Sequence, residues 1–370
     1  MAHSTDLDRV LQSGGAHYRL RVRSGDHAWD ELARELAALD ADRFVVLADG
    51  GVPPELLARV PAQVLRIPGA CTLQTVELLA EQLLQAGATR RTVLLAVGGE
   101  QAGGVAGLLA GLLFQGLRLV HLPTTLAAMC GSALSLRHLL PSGVLGTHHA
   151  PELVWNQLDL LRARPVDELR SDLAELIRNV LAVCPAHYDR VAAILHPDAR
   201  YGLRDLASFI AVCADARAAV TAYDPLERGP ARVLEYGRTL GRGIGLLTAL
   251  RPGCADGLGM LASARTAVHL GLLDAADERA HRELLLRNGS PVTLPRSVDL
   301  DALPSAVRLA TARSGEPGLV LLRALGRPHC VGGDLLTRVD EDALRAGLEA
   351  CRPAAAPRSR PALVLAPADR

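Results

Sequence analysis

The stretch Leu94–Leu126, LLAVGGEQAGGVAGLLAGLLFQGLRLVHLPTTL, reads as a strand, a glycine turn, a helix and a second strand. Glycines at such a turn let a backbone approach a phosphate, and the unpaired N–H groups of the following helix favour an anion there. The acid that ordinarily accompanies these glycines is missing, which raises the question of whether the turn still holds a nucleotide. A second set of chemistry-bearing residues lies in YGRTLGRGIG, where Arg238 and Arg242 are four apart and share one helix face. Two guanidinium groups side by side suit a carboxylate or phosphate, which they grip bidentately. His138, His148 and His149 fall in a loop-like region, where imidazoles could contact a ligand or titrate near neutrality. Cys254, Asp256 and the His148–His149 pair lack the spacing of a metal site. Trp29, Trp155 and Cys213 read as packing residues, and LERG at Leu226–Gly229 as a structural turn.

Positioning these groups falls to two kinds of element. In the first half, HYRLRVRSG alternates with a period of two, and RFVVLADGG, AQVLRIPG, TVLLAVGGE and RLVHLPTT are apolar strands. Between them WDELARELAALD, ELLARV and TLQTVELLAEQLLQAG carry helical spacing. Strands alternating with helices imply a parallel sheet with right-handed crossovers. From about Trp155 the pattern changes to long helices such as VDELRSDLAELIRNVLAV and LRDLASFIAVCADARAAVTA. The fold class is therefore α/β, a Rossmann-like parallel-sheet domain over 1–154 followed by a mainly helical domain over 155–350. The Pro-, Ala- and Arg-rich residues 351–370 are expected to be disordered.

Composition narrows the function. A chain of 370 residues that is 49% hydrophobic can bury the cores of two such domains. Its formal net charge of zero argues against nucleic-acid or anionic-membrane binding. Apolar runs fall short of the ~20 residues of a membrane span, and MAHSTDLDRV has no apolar core, so no signal peptide is expected. Seven scattered cysteines without CxxC read as reduced thiols in the cytoplasm. The chain contains no lysine, so all 40 basic side chains counted are arginine, and neither a lysine Schiff base nor a lysine acid can take part in chemistry.

The motifs GDHAWDELARELA, VVLADGG, the glycine turn with AGLLA, QGLRLVHLPTTL, DELRSDLAELIRN and LEYGRTLGRGIG occur in that order. Together they resemble the dehydroquinate synthase-like sugar phosphate cyclases, with ALSLRH after PTTL similar to the 2-deoxy-scyllo-inosose synthases. The resemblance runs from about Tyr18 to Gly326. It implies NAD in the α/β domain, a zinc or cobalt ion in the cleft, and a sequence of transient alcohol oxidation, phosphate elimination, hydride return and aldol closure. It places the cofactor on Asp49, Gly98, Gly99, Gly103, Thr124 and Thr125, with Glu100 and Gly104 standing where the family has a glycine and the acid. Ala70 and Leu73 replace a family Glu and Lys. Of the metal ligands only Glu175 is kept, because Arg238 and Pro252 stand in place of histidines and Arg242 in place of a further one. Gln115, Gly131, Ser142 and Gly143 replace polar substrate contacts, whereas Arg137 and Arg217 keep basic ones and Glu235 takes the place of an Asn.

These substitutions lead to the expectation that NAD is held weakly or not at all and that no metal binds. Glu175 and Arg238 then pair in the vacated site, and Arg137, His148, His149, Arg217, Glu235, Arg238 and Arg242 line a cleft for a small anionic or sugar-derived ligand. Two readings follow with equal weight: a cyclase homologue of specialised metabolism repurposed to a metal-independent reaction, or a non-catalytic homologue that binds a metabolite or joins an active cyclase. A homodimer or a heteromer with a related cyclase is expected, and an orthodox NAD- and metal-dependent cyclase ranks last.

Overall fold

The computed structural model describes residues 5–353 apart from 70, 142 and 315–317. Ala70, Ser142 and most of the tail, residues 354–370, therefore lie outside the described residues. A hairpin, β1 (Leu7–Ser13) and β2 (Ala16–Arg23), opens the chain. There follow α1 (His27–Ala37), β3 (Phe44–Ala48), α2 (Pro54–Leu57), β4 (Gln63–Arg66), α3 (Leu73–Gln85) and β5 (Val93–Gly98). Next come α4 (Glu100–Leu112), β6 (Arg118–Pro123), α5 (Leu126–Cys130), a short ribbon of β7 (Arg137–Leu139) and β8 (Gly146–His148), and β9 (Leu153–Gln157). The rest is mainly helical: α6 (Val166–Asp172), α7 (Ala174–Ala182), α8 (Tyr188–Ile194), α9 (Leu203–Thr221), α10 (Arg238–Leu246), α11 (Pro252–His269), α12 (Ala275–Arg287), α13 (Leu303–Ser314) and α14 (Glu341–Glu349).

Seven strands form one sheet in the order β1-β2-β9-β6-β5-β3-β4, parallel throughout except for β1, which pairs antiparallel with β2. The α/β class and the helical second half stand as read from the pattern. The sheet is mixed rather than purely parallel, because LDRVLQS alternates too weakly to be read as a strand yet pairs with β2 along its whole length. β9 runs to Gln157, so the sheet continues past the position where the pattern changes. Every residue of β5 is buried, as a central strand covered on both faces requires.

Apolar side chains cover the sheet from both sides. Leu79 and Leu83 of α3 and Val105 and Leu109 of α4 pack on one face; Leu32 and Leu36 of α1 pack with Trp155 on the other. The largest apolar cluster joins α5, α7, α9, α10 and α11 and reaches Leu11 and Leu20 of the hairpin. The stretch expected as one helix over 166–183 is two helices, α6 and α7, joined at Leu173, which turns Glu175 and Arg178 inward. Among the described residues no helix is long and apolar enough to cross a membrane.

Candidate functional site

The glycine turn lies where β5 passes into α4. Gly98 has φ +152, and a Cβ there would lie 2.3 Å from Asp49 Oδ2, so this position admits no side chain. Asp49, just past the end of β3, accepts from the Gly99 N–H at 2.7 Å. Burial pushes the Asp49 carboxyl up from its ordinary value, against the Gly99 N–H that draws it down. Thr124 N–H donates to the Gly98 carbonyl at 2.8 Å, and Thr125 Oγ1 caps α5 by accepting from Ala128 N–H at 3.2 Å. Gly103 lies over His121 of β6, 3.4 Å from its Cε1 to a built Cβ. The six residues assigned to a dinucleotide thus fall along one edge, at the C-terminal ends of β3, β5 and β6 and the start of α4, where a doubly wound sheet offers such a site.

Beside this edge, α4, β7, α7, α9 and α10 enclose a charged cavity of about 100 Å³ that shares Glu100, Arg137, Glu227, Glu235 and Arg242 with a larger one of about 710 Å³. Arg137, Arg217, Glu235, Arg238 and Arg242 all line the smaller cavity. His148 and His149 do not. His148 is exposed on β8 and lines neither cavity, while His149 turns its Nε2 to donate to the Leu117 carbonyl at 2.6 Å. Both are corrected to residues outside the cleft, because pairing of β7 with β8 makes an ordered ribbon of what reads as a loop.

The cleft is an alternation of guanidinium and carboxylate groups. Arg238 Nη2 donates to Glu175 Oε2 at 2.9 Å, the pair expected from the family positions. Arg178, 1% exposed, also donates to Glu175, reaches Asp256 Oδ2 at 2.5 Å and gives its Nε–H to the Tyr236 carbonyl at 2.8 Å. Arg137 Nη2 donates to Glu235 Oε1 at 2.6 Å and lies 3.5 Å from Glu227. Arg217 Nη1 donates to Glu227 Oε1 at 2.6 Å, and Arg242 Nη2 reaches Glu235 at 3.4 Å. Burial raises the carboxyls of Glu175, Glu227 and Glu235, but the arginines outweigh it and hold all three below their ordinary values; for Glu235 these are Arg238, Arg137 and Arg242. Burial opposes the charge on Arg238, and Glu175, Glu235, Asp256 and Glu100 more than restore it.

Three members of this network escape sequence reading. Arg178 sits inside LAELIRN and looks like an ordinary helix residue. Asp256 belongs to a segment with no recognisable spacing. Glu227, read as part of a structural turn, is buried at φ +53, a left-handed backbone that an L residue rarely adopts; together with its two arginines this marks a site position. Its positive φ is invisible in the sequence.

Residues 68–171 match the family model described as 3-dehydroquinate synthase N-terminal, and residues 172–310 match 3-dehydroquinate synthase C-terminal. The 2-deoxy-scyllo-inosose synthase of Micromonospora echinospora is 37% identical over 345 residues, 87% of this chain and 86% of the relative. That of Streptomyces kanamyceticus is 35% identical over 371 residues, 93% of this chain and 95% of the relative. A crystal structure of 2-deoxy-scyllo-inosose synthase complexed with carbaglucose-6-phosphate, NAD+ and Co2+ superposes with a TM-score of 0.85 at 27% identity, covering 93% of this chain and all of that one. The fold is also that of a 2-epi-5-epi-valiolone synthase from Streptomyces hygroscopicus with NAD+ and Zn2+ bound, at a TM-score of 0.76 and 22% identity, covering 93% of this chain and 99% of that one.

These matches correct two expectations. Relatives at 35–37% identity over most of the chain are synthases, which overturns the reading of a repurposed or non-catalytic homologue in favour of an orthodox cyclase. The expectation of doubtful NAD and no metal is overturned by solved relatives that hold NAD+ with Co2+ or Zn2+. The glycine edge fits a dinucleotide. The donor set for an ion does not match in the same way: Glu175 and Asp256 are both engaged by Arg178, and among the described residues no three His, Cys, Asp or Glu gather at one point. From the glycine edge, the arginine-lined cleft and these matches together, the chain belongs to the dehydroquinate synthase-like sugar phosphate cyclases.

Proposed function

We infer that the protein is a sugar phosphate cyclase of the 2-deoxy-scyllo-inosose synthase type, serving natural-product biosynthesis. It converts a hexose 6-phosphate into a carbocyclic ketone with release of phosphate. The observation that carries this reading is 35–37% identity over most of both chains to several such synthases. The solved relative bound to carbaglucose-6-phosphate supplies the substrate class, a six-carbon sugar with a terminal phosphate. Seven free cysteines support a reducing, cytoplasmic setting.

The side chains of the cleft suit that work. Arg137 and Arg242 line both cavities, whereas Arg217 and Arg238 line only the smaller one. They take the phosphate, and the carboxylates behind them keep both guanidinium groups oriented before substrate arrives. Glu235, ionised and shared by three arginines, becomes a stronger base when a phosphate draws Arg137 and Arg242 away from it, and so accepts a proton beside the phosphate that leaves. NAD+ on Gly98, Gly99, Gly103, Asp49, Thr124 and Thr125 supplies transient hydride acceptance. Arg217 and Arg238 are paired with Glu227 and Glu175 and set the charge balance of the smaller cavity.

Purified protein incubated with glucose 6-phosphate, NAD+ and Co2+ or Zn2+ is expected to release inorganic phosphate and form a cyclic ketone visible by NMR. Absence of phosphate release from glucose 6-phosphate and from a panel of other hexose and heptulose phosphates would overturn the assignment.

A further inference from the structure

The ribbon β7–β8 begins at the end of the ALSLRH segment, and its first strand brings Arg137 to the cleft. α4 meets that ribbon with bare backbone. A Cβ on Gly104 would lie 2.3 Å from the Leu139 carbonyl oxygen, on Gly107 2.0 Å from His138 Cγ, and on Gly111 2.9 Å from Thr147 Cγ2. His138 fills this contact. It is 2% exposed, stacks on His121 with ring centroids 5.5 Å apart, and its Nε2 lies 2.9 Å from the His149 carbonyl. A carbonyl only accepts, so the ring donates from Nε2 in this bond, and the Gly103 carbonyl of α4 faces the same imidazole. His149 in turn donates its backbone N–H to the Leu136 carbonyl at 2.8 Å and its ring N–H to Leu117. The open end of the ribbon is thereby closed on itself and tied through His149 to the residue that precedes β6. All three residues of β7 border the cleft; side chains alternate along a strand, so the His138 ring packed against α4 leaves the Arg137 side chain on the opposite face, toward Glu227 and Glu235.

We propose that His138 is a positioning residue for the cleft: wedged between the glycine face of α4 and His121 and bonded to the His149 carbonyl, it fixes β7 and so holds the Arg137 guanidinium between Glu227 and Glu235, in place for the anionic group of the substrate. That Arg137 meets substrate rests on the cyclase reading; that His138 fixes the strand does not. A long arginine side chain on a loosely held strand loses rotamer and backbone entropy each time it binds, and a fixed strand removes part of that cost beforehand.

The test uses the full chain and two readouts. His138→Phe keeps a ring of similar bulk and removes the Nε2 donor, whereas Gly107→Ala keeps the imidazole and displaces it. Hydrogen exchange over residues 137–148 is expected to quicken at least tenfold in both, with β3 and β5 unchanged. In turnover of glucose 6-phosphate, KM rises at least tenfold while kcat stays within about threefold of wild type. His138→Gln, which can still donate to the His149 carbonyl, recovers most of the loss; a purely structural role would lower the folded fraction without separating KM from kcat. Wild-type exchange in His138→Phe overturns the proposal, as does faster exchange with KM unchanged. Should His138→Phe fail to fold, Gly107→Ala and His138→Gln decide by the same criteria. A wild type that turns over neither glucose 6-phosphate nor the other hexose and heptulose phosphates removes the cyclase reading alone; exchange and the affinity for inorganic phosphate, which Arg137 would bind in either case, then decide on His138.

Discussion

Glu175, Glu227 and Glu235 each meet at least two guanidinium groups, so removing one side chain leaves an opposite charge behind with altered company. Arg178 is the most deeply buried of these groups and holds both Glu175 and Asp256. Arg178→Met preserves volume but strands buried carboxylates, which costs about 3–5 kcal/mol. Urea unfolding at neutral pH should show the loss as a lowered midpoint. Arg137→Ala and Arg242→Ala act on binding: each removes a charge-assisted hydrogen bond to phosphate worth about 1.5–3 kcal/mol, so kcat/KM for a hexose phosphate falls roughly ten- to hundredfold. Glu235→Gln has the opposite effect on simple anions. Its three arginines lose an ionised competitor, and inorganic phosphate should bind several-fold more tightly by calorimetry while turnover is lost.

The element that matters most for the site is α4, which serves the cofactor edge at its N-terminus and seats the ribbon along its side. The glycine at 104, which stands where an acid accompanies the turn in the family pattern, has a steric reason. The Leu139 carbonyl approaches so closely that any Cβ would meet it at 2.3 Å. Gly104→Ala should therefore destabilise the protein by about 1–3 kcal/mol from overpacking, even though alanine in a helix interior ordinarily gains about 1 kcal/mol over glycine. A higher thermal midpoint in this variant would show that the ribbon does not press on the helix.

For the molecule as a whole, acid is the condition that undoes it. His138 is held down to about 4, chiefly by burial and also by His149 and His148, while its bonds to backbone carbonyls work against the shift. Burial, with His138 and His149, keeps His121 well below its ordinary value too. The unfolded chain binds these protons near pH 6.5 and the native one only at lower pH, so stability is complete above about 6.5 and falls as pH drops toward 4. His138 alone accounts for about 3 kcal/mol across that window. Below it, Glu175, Glu227 and Glu235, whose values are depressed by their arginines, lose their contribution in the same direction as they protonate. Equilibrium unfolding between pH 7.5 and 4 should show this decline, and His138→Gln should flatten its upper part.

What could be read along the chain is what depends on neighbours in sequence. Period-two and helical spacing placed five strands of the sheet and the long helices, since burial of one face imposes that period locally. Ordered motifs identified the family, and a four-residue spacing put Arg238 and Arg242 on one helix. The antiparallel β1, the ribbon and the partners of each charge were settled by tertiary structure, because those contacts join segments far apart. Arg178 and Asp256 are 78 residues from one another, and Arg137 and Glu235 are 98. The expectation of a retired site came from weighing each substituted position against a pattern. In the folded molecule, charge reaches the cleft from positions that were not among those weighed, Arg178, Glu227 and Asp256, and only the three-dimensional arrangement brings them to one place.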